Sequence, residues 1–158
     1  MKNKLLLITL TVLMLQSMNA QKLIKYTKVS HLTKDSLKVA WKENFMPKLI
    51  LNISNEIDLY EIIYTTKWHD GSEITASGLY FVPLGMNKTS PQLIYHHGTK
   101  IKKERTNTIY REKAICAGFA ADGYAVIMPD YIGLGKGEKT HLYQHSESES
   151  DAAIHMYL

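Results

Sequence analysis

Residues 93–100 read LIYHHGTK, an apolar segment that breaks into two histidines, a glycine and a threonine. Two chemistries compete for that combination. The imidazoles of His96 and His97 can carry protons near neutral pH. Alternatively, Gly98 frees the backbone, so that N–H groups of the Gly98–Thr99 segment can face a developing oxyanion with no side chain in the way. A tight strand-to-loop turn without chemistry would use the same residues.

The other chemically suggestive stretches are weaker. His141 and His145 stand four apart, which on a helix would set them on one face as metal ligands. Leu142-Tyr143-Gln144 between them read as loop entering a helix, and no acidic or cysteine ligand is spaced to complete a site, so no metal is expected. GLGKG, 133–137, lacks the G-x-x-x-x-G-K-[ST] spacing of a phosphate-binding loop. Cys116 is the single cysteine, which excludes an internal disulfide framework. It lies in AICAGFA among small apolar residues and reads as a packing residue. Asn52 in NIS and Asn87 in NKT match glycosylation sequons, which matter only in a eukaryotic secretory pathway.

The elements that must position HHGT follow from periodicity and turn chemistry. Residues 22–50 are lysine-rich, with Leu32, Leu37, Val39, Ala40 and Trp41 at loose helical spacing, and a helix is expected over 34–43, ending before Pro47. IDLYEIIYTTKW (57–68), HDG (69–71) and SEITASGLYFVP (72–83) form an antiparallel hairpin. GMNKTSP (85–91) is a surface loop. QLIYHH is apolar nearly throughout, as in a parallel strand buried on both faces. YREKAICAGFAADG (110–123) is a helix with Ala114, Ile115, Ala117, Gly118 and Ala121 on its apolar face and Gly123 as its stop. YAVIMPD (124–130) is a second buried strand, which completes a βαβ unit. A glycine-rich loop follows. Ser146, with Glu149 three residues on, reads as the capping box of a last helix.

Lys2 and Lys4 precede an apolar run from Leu5 to Leu15 and a polar stretch ending at Ala20, the layout of a secretory signal peptide cleaved between Ala20 and Gln21. The expected location is therefore secreted or periplasmic. The run is shorter than the roughly 20 residues of a membrane span, so no stable membrane insertion is expected. Cleavage removes two of 19 basic residues, leaving 17 against 15 acidic ones. The whole-chain pI of about 9.0 thus overstates the basicity. No basic stripe interleaves with aromatics, so nucleic acid is not an expected partner. Residues 21–158 have the length of one domain.

Taken in order, the hairpin, the strand ending in HHGT, the helix, the strand ending in PDYIGLG and HLYQHSESESDAAIHM resemble the N-terminal half of the α/β-hydrolase fold. Within it they look most like secreted lipase- or esterase-type serine hydrolases. The resemblance covers roughly residues 34–158. It implies an incomplete α/β fold: a hairpin leading into a parallel sheet with flanking helices. It also implies that the loop after the 92–97 strand supplies one N–H of an oxyanion hole, the other coming from the residue after the nucleophile. Gly98 and Thr99 are the candidates, with the Thr99 amide preferred; His97 would shape the loop and not act as the base. In the family the triad acid follows a later strand, so Asp130 is expected to brace the YIGLG loop.

The nucleophile motif G-x-S-x-G would sit after the helix that begins near Ser146. It is absent from these residues, as TASGL and DGSEI do not fit it. The expected function is accordingly the N-terminal fragment of a serine hydrolase acting on small-molecule or lipid esters, without cofactor and inactive as this chain alone. A peptidase of the same fold and a non-catalytic secreted binding domain are the alternatives. In the family's sheet the 92–96 strand lies between the 124–129 strand and the nucleophile strand, so here its outer edge should be unpaired.

Overall fold

The computed structural model describes residues 22–44, 52–87, 89–100 and 111–157. The expected signal peptide and Pro47 lie outside the described residues.

Among the described residues eight elements follow one another: β1 (Leu23–Leu32), α1 (Lys34–Glu43), β2 (Ile57–Lys67), β3 (Glu73–Pro83), β4 (Gln92–Ile94), α2 (Glu112–Ala121), β5 (Ala125–Pro129) and α3 (Ser146–Tyr157). The strands form one sheet in the order β1-β2-β3-β5-β4. Three neighbouring pairs are antiparallel and β4 runs parallel to β5. The expected hairpin holds with an unbroken register from Ile57 opposite Pro83 to Lys67 opposite Glu73. Its turn is closed at Gly71, whose φ of 82° lies in the left-handed region that glycine tolerates.

Alternation along β2, β3 and β5 sends two sets of side chains to opposite faces. Leu59, Phe81, Val126 and Met128 meet Leu37 of α1 and Cys116, Ala117, Ala120 and Ala121 of α2 in the main core. Small residues on α2 let α1 approach closely, with Leu37, Ala40 and Trp41 beside Ala114, Ala117 and Gly118. Cys116 is fully buried, its Sγ 3.9 Å from Met128 Sδ, as a packing residue should be. On the opposite face α3 lies against the hairpin. Tyr64 donates its hydroxyl to the Ala152 carbonyl at 2.7 Å, and Thr66 Oγ1 lies 2.8 Å from His155 Nδ1.

Three expectations are corrected. The lysine-rich stretch 23–32 is a strand, not a helical approach. LIKYTKVSHL pairs with β2 along its length as the outer strand, and an edge tolerates exposed Lys25 and Lys28 where a central strand would not. β4 spans only three residues and is not buried on both faces: Leu93 and Tyr95 turn to the main core, whereas Ile94 is 37% exposed. The cause is position, since β4 ends the sheet and no strand among the described residues pairs with its outer side. Finally, Ser146 is the first helical residue of α3 and not its cap. His145 caps instead, its Nδ1 accepting from Ser148 N at 3.3 Å and its carbonyl from Glu149 N at 3.1 Å.

Candidate functional site

The carboxyl ends of the parallel strands β4 and β5 carry the two loops that the sequence singles out, the place where open α/β sheets gather their sites. The β4 loop runs through His96, His97, Gly98 and Thr99; the β5 loop runs from Asp130 to His145.

His97 anchors the first loop from below. It is buried, and its Nδ1 lies 2.7 Å from the Gly98 carbonyl, which fixes Nδ1–H as the donor. Its Nε2 is buried with no partner among the described residues. Burial lowers the imidazole pKa and outweighs the Gly98 hydrogen bond, so the ring is neutral. The loop-shaping role expected of His97 matches this geometry. Tyr131 secures it from the second loop: its hydroxyl donates to the His97 carbonyl at 2.9 Å, and the two rings lie 4.2 Å apart.

The two candidate amides differ. Gly98 N–H donates to Glu112 Oε1 at 2.6 Å, at the first residue of α2. Thr99 is exposed, and its N–H donates to no group among the described residues. A backbone donor without a partner among the described residues, next to one already occupied, is available to donate to a ligand oxygen.

The second loop is held by Asp130, through an intermediary. Ser77 Oγ donates to Asp130 Oδ2 at 2.7 Å and accepts from Lys136 N at 2.8 Å, while Asp130 N donates to the Ser77 carbonyl at 2.8 Å. Gly133 and Gly135 adopt φ of 85° and 53°. A Cβ on Gly135 would run into the Asp130 carboxylate, and one on Gly133 into the His141 backbone. Two amides of this loop are spent on its own carbonyls, Leu134 N on that of Tyr131 and Gly137 N on that of Leu134.

His141 and His145 are not brought together as ligands. His141 Nδ1 lies 3.1 Å from the Ile132 carbonyl with its ring parallel to Tyr131, and His145 is spent on the α3 cap. Among the described residues no three His, Cys, Asp or Glu side chains converge as a metal would need. Ser77, Glu112 and Tyr131 escaped the sequence reading. All three lie in stretches the sequence had singled out as elements, but each acts on a residue far away in the chain, Ser77 on Asp130, Glu112 on Gly98 and Tyr131 on His97.

No protein-family model and no curated protein matches the chain. Solved structures do. A protein assigned as a hydrolase from Legionella pneumophila superposes with a TM-score of 0.74 at 29% identity, over 86% of this chain and 38% of its own. The rice cell wall degrading esterase LipA from Xanthomonas oryzae superposes with a TM-score of 0.68 at 25% identity, over 85% of this chain and 35% of its own. Lipase A of Candida antarctica, at 12% identity and a TM-score of 0.55, shares the fold alone. The chain is therefore related in fold to hydrolases and carries part of an α/β-hydrolase fold, spanning well under half the length of these structures.

Proposed function

We propose that this chain is the N-terminal part of a secreted serine hydrolase that cleaves carboxylic esters, with the Thr99 backbone N–H as one donor of its oxyanion hole. The observation that carries the reading is the contrast between neighbouring amides. Gly98 N–H is occupied by Glu112, whereas Thr99 is exposed at the carboxyl end of β4 and its N–H has no partner among the described residues. The likeness to the esterase LipA supports ester hydrolysis as the reaction class, and that to the Legionella protein supports hydrolysis in general. The signal-peptide layout of residues 1–20 supports export.

In this chemistry a serine oxygen attacks the ester carbonyl carbon while a histidine takes its proton. The carbonyl π electrons move onto oxygen, and Thr99 N–H donates a hydrogen bond to the resulting oxyanion. Collapse expels the alcohol, which receives the proton from the histidine, and water then releases the acid from the acyl-enzyme. The serine does not lie within these residues, so the 158-residue chain supplies the oxyanion donor and not the nucleophile.

Reading the gene past the codon for Leu158 tests this. The expected result is an open frame that reaches G-x-S-x-G shortly after α3, in a product whose motif serine a fluorophosphonate probe labels. A stop codon directly after Leu158 would remove the enzyme reading and leave a secreted binding domain.

A further inference from the structure

Glu112 has no part in the oxyanion chemistry just described, yet its carboxylate grips the loop that provides it. Oε1 accepts the Gly98 amide at 2.6 Å, and a Cβ built on Gly98 would come within 3.2 Å of the same oxygen. Glycine at 98 therefore lets the carboxylate approach. Tyr95, three residues earlier, is tied to the same group: burial first, then the Glu112 charge and a hydrogen bond to it among the smaller causes, raise the pKa of its hydroxyl. The hydrogen bond from Gly98 N–H is the contact that ties the loop to this side chain. Glu112 itself is held at the first turn of α2, where a negative charge is favoured by the helix dipole. From the other side Tyr131 fixes the His97 carbonyl.

Resting on the hydrolase reading, we propose that Glu112 is the positioning residue of the oxyanion loop: by occupying Gly98 N–H it selects Thr99 N–H as the amide presented to substrate. A carboxylate is suited to the task. It forms a charge-assisted bond stronger than a neutral acceptor would, and it holds Gly98 N–H so that the neighbouring Thr99 amide is the one left for a ligand.

Amide exchange of the folded 158-residue chain, measured residue by residue by NMR, tests the clamp without any need for ester cleavage. In Glu112→Ala the Gly98 amide should exchange roughly 10-fold faster or more, as loss of a bond to a charged group implies. Glu112→Gln, which keeps an acceptor oxygen, should restore much of the protection. The core amides of Val126 and Met128 should not change in either variant. Unaltered Gly98 exchange in Glu112→Ala, or equal acceleration of Gly98 and the core amides, would overturn the proposal. In the gene product carried past Leu158, Glu112→Ala should lower kcat with KM retained, and Glu112→Gln should recover it. An intact clamp with no fluorophosphonate labelling would remove the hydrolase reading alone; labelling with no Gly98 effect would remove the clamp alone.

Discussion

The Tyr131 hydroxyl donates to the His97 carbonyl at 2.9 Å while its ring packs 4.2 Å from the imidazole, so one side chain from the β5 loop fixes both backbone and side chain of the β4 loop. Removing only the hydroxyl separates these two effects. Tyr131→Phe keeps the ring contact and leaves the carbonyl without its donor, which should cost about 1–2 kcal/mol. Urea unfolding measures the loss, and an unchanged midpoint would show the bond to be dispensable.

Gly135 lets its backbone adopt a φ of 53° against the Asp130 carboxylate. Gly135→Ala adds both backbone strain and a steric clash with a side chain already bound to Ser77. We expect a loss of about 3 kcal/mol or more, at the upper end of single-residue effects. Ser77→Ala should cost less, about 1–2 kcal/mol, because it removes one intermediary without forcing the loop apart. Thermal unfolding of the two variants should rank them in that order.

Acid should destabilise the fold well before carboxylates protonate. Burial lowers the pKa of both His97 and His155 from the ordinary 6.5. Each binds a proton more readily when unfolded. Their contribution to stability is therefore fully present above 6.5 and is lost as pH falls from there through the lowered folded-state values. Asp58, held below 3.8 mainly by Lys28, acts only at much lower pH. Unfolding midpoints compared at about pH 7.5 and 5.5 should drop, and the drop should shrink in His97→Gln.

Gly78 admits α3 to the sheet: a Cβ there would meet Met156 Sδ at 2.5 Å and the Met128 carbonyl at 2.9 Å. The thioether can swing away, but the backbone carbonyl cannot. Gly78→Ala should therefore destabilise by about 1–3 kcal/mol, and Met156→Ala in the same chain should recover only part of it. Full recovery would mean that the β3–β5 pairing had shifted to make room.

What could be read from the sequence was local. The β2–β3 hairpin announced itself through β-branched runs around HDG, and α2 through small apolar residues ending at Gly123, whose φ is 110°. β1 was hidden because Lys25 and Lys28, which discourage a strand assignment, are what an exposed edge allows. The cap of α3 was misplaced by one residue because a histidine ring does the work usually given to serine. At the site, HHGT drew attention to the loop after β4. The residues that hold it are separated in the chain from those they grip, Glu112 from Gly98 by 14 positions and Tyr131 from His97 by 34. No pattern of spacing encodes such pairs.

The Thr99 amide can be removed without removing Thr99's place in the loop. In the gene product carried past Leu158, kcat for a short-chain ester should be compared between Thr99→Pro, which lacks the N–H, and Thr99→Ala, which keeps it. The expected result is a fall of about 10²–10³ in Thr99→Pro and little change in Thr99→Ala. Equal kcat in the two variants would contradict an oxyanion role for this amide.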